Sequence, residues 1–297
     1  STGPVISLEG NASTTAEALC TYVDAGATAT DAVDGEVPVT STSSVTTSAL
    51  GIYTVTYSAV DSSGNEALDA TRTVEVVDTT APVITISSAG MVTIEALETY
   101  IDLGAIAEDA FEGSVGVTST SSVDTSAVGT YTVTYSAVDS SGNTQNATRT
   151  VSVEDNVAPV ITINGAESTT VEALYTYVDA GVTVVDAVDG MVSYTVTNQV
   201  NTDVLGTYSV VYRAPDSSGN VNTATRTVEV VDTTAPVITI AGDNPASVEL
   251  GSDYTDEGAV ATDALEGSVT VVSTSLVNTG AIGTYAVTYS AADSSVN

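Results

Sequence analysis

One pattern returns four times in this 297-residue chain, and it limits the fold more than any other feature. The prolines Pro4, Pro82, Pro159 and Pro236 stand 78, 77 and 77 residues apart. Tyrosine pairs keep the same step: Tyr53 and Tyr57, Tyr131 and Tyr135, Tyr208 and Tyr212, Tyr285 and Tyr289. So do the turns "DSSGN" at Asp61, Asp139 and Asp216, with "DSSVN" at Asp293. A period this long exceeds the roughly 20–50 residues of solenoid units and suits a small independent domain. Four tandem repeats are expected, over residues 1–78, 79–155, 156–232 and 233–297.

Within each repeat the apolar residues alternate. In "GTYTVTYSAVDSSGN", Tyr131, Val133 and Tyr135 fall on one face and Thr132, Thr134 and Ser136 on the other, as in a half-buried antiparallel strand. "DSSGN" then predicts a turn, in which Gly142 is free to take positive φ, and "NATRTVSVED" the returning strand. "APVITI" opens each repeat with a proline at the strand start, where no ladder donor is needed. About seven short strands with regular turns and no helical period predict an all-β immunoglobulin-like sandwich, and the Gly-x-Tyr of Gly51 and Tyr53 fits a tyrosine corner. The last repeat stops at Asn297, before the strand equivalent to "ATRTVEVVD", so it is expected to lack its final strand. A longer array, or completion by a neighbouring copy, would supply it.

Composition excludes several functions. Thirty-eight Asp and Glu face four Arg, with no Lys and no His, for a formal charge of −34. A field of that sign repels nucleic acid and anionic lipid. No apolar run is long enough to span a bilayer, so no membrane insertion is expected. Without His or Lys, the usual nucleophile–base pairs cannot be built, and with no Trp and one Phe there is no sugar platform beside paired carboxylates, so no enzyme is expected. The lone Cys20 has Glu98, Tyr175 and Ser252 as its counterparts in the later repeats, which marks a tolerant surface position.

On a sandwich frame the acids gather. Loops after the second and sixth strands share the end at which the chain enters a repeat. In the second repeat these carry Asp109 and Glu112 in "EDAFEG", and Asp139 and Asn143 in "DSSGN". Asp78 arrives at the same place from the first repeat, and Glu17 and Asp24 are expected at that repeat's facing end. The set recurs as Glu95, Asp102 and Asp155 with Asp186, Asp189, Asp216 and Asn220. It recurs again as Glu172, Asp179 and Asp232 with Asp263, Glu266, Asp293 and Asn297, while Asp31, Asp34 and Asp61 are the matching loop acids of the first repeat.

Carboxylates crowded into a small volume need a cation. Arg72, Arg149 and Arg226 are expected on the last strands rather than in these loops. Oxygen ligands without His or a usable Cys point to Ca²⁺ rather than zinc or copper, and Mg²⁺ would ask for fewer, better-ordered ligands. Asp, Asn and Gly also populate turns for backbone reasons alone, which would reduce "DAVDG" and "DSSGN" to turns. Turn chemistry does not account for Asp78, Asp155 and Asp232 at strand ends, nor for Glu17 and Glu95.

The succession "DTTAPVITI", "VEL", "GTY" and "DSSGN", closing on "ATRTV", resembles the bacterial surface Ig-like repeat of secreted adhesins and multidomain exoenzymes. The resemblance covers nearly the whole chain and implies an extracellular, non-catalytic module. The acidic seams are also similar to those of cadherin repeats, although the cadherin linker motif is absent. A secreted or cell-surface stalk or filament is expected, stiffened by Ca²⁺ at its seams and continued by further copies of the same repeat. The alternative is an adhesin whose repeats grip a sugar or protein themselves, for which Tyr194 in "MVSYTVTNQVN" is the nearest aromatic candidate.

Overall fold

The structure, a computed structural model, describes residues 2–88 and 90–297. The described residues form 26 strands and no helix. Repeat 1 contributes β1 (Val5–Leu8), β2 (Ser13–Glu17), β3 (Ala27–Asp31), β4 (Gly35–Val37), β5 (Val39–Ser43), β6 (Gly51–Ala59) and β7 (Ala70–Val77). They make two sheets, β1-β3-β4 and β2-β7-β6-β5. Antiparallel pairing dominates, but β2 runs parallel to β7, with Glu17 opposite Val77.

The same plan returns in repeat 2 with β8 (Val83–Ile86), β9 (Met91–Glu95), β10 (Ala105–Asp109), β11 (Gly113–Val115), β12 (Val117–Ser121), β13 (Gly129–Val138) and β14 (Thr144–Glu154). Repeat 3 has β15 (Val160–Ile163), β16 (Ser168–Glu172), β17 (Val182–Asp186), β18 (Gly190–Met191), β19 (Thr195–Asn198), β20 (Gly206–Pro215) and β21 (Val221–Val231). In repeat 4, β22 (Val237–Ile240), β23 (Ala259–Asp263) and β24 (Gly267–Val269) form one sheet, and β25 (Val271–Ser275) pairs with β26 (Val287–Ala291). The chain divides into two compact units, one ending at Glu154 and the other beginning at Asp155.

The alternation read from the sequence is the alternation of burial. Along β13, Val133, Tyr135 and Ala137 are buried while the residues between them are not. Val133, Tyr135 and Val151 form one core cluster, to which Ile84 and Ile94 add from β8 and β9. Repeats 1 and 3 build the same cluster around Tyr57 and Tyr212. Thr and Ser fill the solvent side, where a β-branched hydroxyl suits a pleated, half-wet surface.

The acidic turn, expected after the second strand, follows the third, because the chain after β1 does not loop freely. It forms β2, crosses to the other sheet and satisfies its backbone groups against β7. The tyrosine corner is present in every repeat: Tyr53, Tyr131, Tyr208 and Tyr285 donate to the carbonyls of Ala49, Ala127, Val204 and Ala281 at 2.8–3.1 Å. Gly206 precedes one such corner at φ +151°, a conformation that L side chains avoid. Tyr131→Phe, which deletes only the hydroxyl, should cost about 1 kcal/mol in denaturant unfolding with an unchanged slope.

Candidate metal centres at the linker acids

Each site begins with an aspartate that ends a strand. Asp109 closes β10, and its Oδ1 accepts the amides of Phe111 (2.7 Å) and Glu112 (3.1 Å). Asp186 and Asp263 do the same at the ends of β17 and β23, with N–H···O distances of 2.7–3.0 Å. This is the Asx-type turn that Asp favours for local reasons. It occupies one carboxylate oxygen only. The other oxygen, Oδ2, of Asp109, Asp186 and Asp263 is buried without a hydrogen-bond partner.

A second aspartate comes from the "DSSGN" turn. Asp139 Oδ1 accepts the Asn143 amide at 2.8 Å, and its Oδ2 accepts Asn143 Nδ2 at 2.8 Å. Gly142 stands at φ +92°, which lets the turn close without a Cβ in the left-handed region. A third aspartate comes from the linker. Asp78 follows β7, with Oδ1 accepting the Thr80 amide and Oδ2 accepting Ser141 Oγ, both at 3.2 Å.

These elements bring carboxylate oxygens within 4.8 Å of one another in four groups: Asp31, Asp34 and Asp61; Asp78, Asp109 and Asp139; Asp155, Asp186 and Asp189; and Asp232, Asp263 and Asp293. Asp78, Asp109 and Asp139 are all at least 93% buried. At Asp232, Asp263 and Asp293 each acid has a buried Oδ2 without a partner. Burial, together with the charges of Asp263, Asp293 and Glu172, raises the Asp232 carboxyl above its ordinary range, against the pull of the Thr234 amide. Like charges held this close, with at least one buried oxygen unsatisfied in three of the four groups, fit a hard cation that accepts several carboxylates.

Other candidates go elsewhere. Asp24, Asp102 and Asp179 do not join the linker acids. They are ion-paired with the buried guanidinium groups of Arg72, Arg149 and Arg226. The Asp24 carboxylate also accepts the Tyr57 hydroxyl at 2.6 Å, and Arg72 bonds the carbonyls of Glu9, Asn11 and Gly26. Burial and the Asp24 carboxylate push Tyr57 up to about 12, and burial with Asp102 does the same to Tyr135. These acids neutralise the cations that the last strands bury among the described residues.

Glu17 and Glu172 lie next to the linker with their oxygens already used. Glu17 Oε1 accepts the Thr79 amide (2.9 Å) and Thr80 Oγ1 (2.9 Å), while Oε2 accepts Thr79 Oγ1 (2.7 Å). The Thr79 amide, foremost among these partners, holds the Glu17 carboxyl below its usual range, and Glu172 is held down in the same way by Thr233 and Thr234. Glu95 closes β9 opposite Glu154.

Glu112 accepts the Ser140 amide, as Asp34, Asp189 and Glu266 accept those of Ser62, Ser217 and Ser294. These four tie one acidic loop to the other. Asp216 repeats the role of Asp139, its Oδ1 and Oδ2 accepting the Asn220 backbone and side-chain N–H groups at 2.7 and 2.9 Å. Asn143 and Asn220 turn a donor, not a ligand oxygen, toward the acids. Tyr194, the aromatic candidate for a ligand patch, packs edge-on against Tyr212 with ring centroids 6.3 Å apart.

The buried Arg–Asp–Tyr cluster was not anticipated. Its signal lay in the arginines: three of the four stand 77 residues apart, each 14 or 15 residues after Tyr57, Tyr135 or Tyr212.

Residues 6–76, 84–153, 161–230 and 238–297 each match the family described as "Bacterial surface protein, Ig-like domain". Over 250 residues the chain is 31% identical to an 81.3 kDa protein of Acholeplasma phage L2, an overlap of 76% of this chain and 33% of that protein. It is 34% identical over 215 residues to hyalin of Strongylocentrotus purpuratus, covering 67% of this chain and 18% of hyalin. The chain thus spans a third or less of the length of these two relatives. Among solved structures, mouse cadherin-23 EC22-24 is similar at a TM-score of 0.34 and 13% identity, covering 78% of this chain and 100% of that one. The protocadherin gammaB4 extracellular domain is similar at 0.36 and 14%, covering 92% and 59%. The chain belongs to the bacterial surface protein Ig-like domain family, as four tandem repeats.

Proposed function

We propose that this chain is an extracellular stalk of Ig-like repeats whose joints are stiffened by Ca²⁺ at the linker acids. The observation that carries this is the convergence of the linker aspartates Asp78, Asp155 and Asp232 with loop aspartates of the repeat that follows, with a buried, unpartnered Oδ2 in each group, on Asp109, on Asp186, and on Asp232, Asp263 and Asp293. At Asp109, Asp186 and Asp263 turn formation uses Oδ1 alone and leaves the burial of Oδ2 without compensation. A cation supplies that compensation.

The stiffening is electrostatic. Without the ion, three carboxylates repel across each linker and work against the hydrogen bonds that seat the segment between one last strand and the next proline. With it, the linker aspartate and the two loops share one charge centre and are drawn together. Glu17 and Glu172 support this by fastening the linker threonines to the strand ends β2 and β16. The family's place on bacterial surfaces is consistent with ions at millimolar concentration, where sites of extracellular modules fill at about 10⁻⁴–10⁻³ M.

Equilibrium dialysis of the intact chain against Ca²⁺, at constant high ionic strength, tests this. About three or more ions per chain should bind with saturation below ~1 mM. Asp109→Asn should remove one of them while leaving the others. Absence of saturable binding at several millimolar would reduce the acids to a solvating surface and the repeats to spacers on flexible linkers.

A further inference from the structure

The joints also contain a set of neutral donors that bridge the linker to the next repeat without any ion. Asn143 Nδ2 lies 3.2 Å from the Asp78 carbonyl oxygen, 3.2 Å from the Thr80 carbonyl oxygen and 2.8 Å from Asp139 Oδ2. All three neighbours are acceptors, so only the NH₂ end of the amide fits there. In repeat 3, Asn220 Nδ2 donates to the Asp155 carbonyl at 3.0 Å and to Asp216 Oδ2 at 2.9 Å. In repeat 4, Asn297 Nδ2 donates to the Asp232 carbonyl at 2.7 Å. Serines add to the bridge, since Ser141 and Ser218 donate their hydroxyls to Oδ2 of Asp78 and Asp155 at 3.2 Å.

The geometry points to the last residue of "DSSGN" as a positioning residue, a metal-independent latch that seats the linker on the following repeat before a cation arrives. It extends the calcium reading above but does not depend on it, because every contact is a hydrogen bond within the chain. The latch reads the linker through main-chain carbonyls, which every linker has. In repeats 2 and 3 an aspartate of the turn, Asp139 or Asp216, also holds the amide in place from the other side. Its consequence for the ion is preorganisation: Asp78 and Asp139 are held near Asp109 by neutral donors, so the cation does not have to gather them.

Hydrogen exchange of the intact chain, in EGTA and in millimolar Ca²⁺ at matched ionic strength, separates the two layers. The readout is the protection of the amides of Thr79, Thr80 and Ala81, compared with those of β13 and β14 as a control for folding. Asn143→Ala and the isosteric Asn143→Asp should each speed linker exchange in EGTA by about tenfold, the loss of one or two hydrogen bonds. Both variants should leave the strand amides unchanged.

Ca²⁺ should restore protection to Asn143→Ala, because the aspartates remain, though at a higher concentration than in the parent chain. Asp109→Asn should behave in the opposite way, with normal protection in EGTA and no gain from Ca²⁺. Linker exchange in EGTA that is the same for Asn143→Ala, Asn143→Asp and the parent would overturn the latch. If the parent is protected in EGTA and gains nothing from Ca²⁺, the latch stands and the calcium reading fails.

Discussion

Arg149→Met is expected to lower the unfolding midpoint of repeat 2 by about 15 °C. Arg149 is 1% exposed on β14, a strand paired on both sides, and is ion-paired with Asp102 and bonded to the Ser87 carbonyl. Its guanidinium carbon also stands 5.7 Å from the centre of the Tyr135 ring. Methionine keeps the aliphatic stem but leaves Asp102 as a half-sequestered charge with Tyr135 as its main remaining donor. Breaking a buried pair from one side costs about 3–5 kcal/mol. A quarter of the Asp102 side chain reaches water, so the lower end, about 3 kcal/mol, is expected.

The sign can be checked by pH. Burial alone would raise the Asp102 carboxyl, but the Tyr135 hydroxyl, the Gly104 amide and Arg149 outweigh it and hold it below its ordinary value. A carboxyl depressed in the folded state contributes stability at all pH above its unfolded value, near 4, and loses it as pH falls through the folded value. The parent repeat should therefore weaken below about pH 4, and Arg149→Met should show a shallower decline there. Calorimetric scans from pH 3 to 7 measure both. Restoring the parent midpoint by the double change Arg149→Met, Asp102→Leu would show that the cost lies in the orphaned charge rather than in lost packing. A midpoint unmoved by Arg149→Met would refute the assignment of this cluster as a stabilising centre.

The second large effect concerns the ion. At matched ionic strength, exchanging EGTA for ~5 mM Ca²⁺ should raise the unfolding midpoints of the repeats. A site with a dissociation constant near 10⁻⁴ M contributes about 2 kcal/mol at that concentration, which for domains of this size corresponds to about 10 °C. Matching the salt is essential, because screening of a −34 chain would by itself raise stability in any electrolyte. Mg²⁺ at the same concentration should give a much smaller shift, since it sheds water reluctantly and needs a stricter octahedron. Asp263→Asn should remove the Ca²⁺-dependent rise of repeat 4 and leave that of repeat 2 intact. Equal midpoints in EGTA and Ca²⁺ would count against ion binding at every joint.

Much of this architecture was written locally. Period-two alternation places Val133 and Tyr135 inward whatever the rest of the molecule does, because successive strand side chains point to opposite faces. The tyrosine corner needs only a carbonyl four residues upstream, and the "DSSGN" turn only its own five residues. The repeat period then multiplies each local pattern by four. The gathering of Asp78, Asp109 and Asp139 was legible for the same reason: strand ends and turns of a sandwich fall at its two poles, so acids at those positions must converge.

Tertiary structure decided which acids remained free to converge. Asp24 and Asp78 look alike as isolated aspartates, yet Asp24 meets Arg72, 48 residues away, and Asp78 meets two carboxylates. That choice depends on which strands lie side by side, and on β2 leaving one sheet to run parallel with β7, which no local pattern announced. The direction of the Asn143 amide was equally hidden. An asparagine can offer an oxygen or two N–H groups, and only the three acceptors assembled around it from separate segments select the latter. Periodicity and composition determined the four sandwiches and their acidic poles. Long-range packing determined the chemistry of each carboxylate, because a charge takes its role from its nearest partners and those partners come from distant parts of the chain.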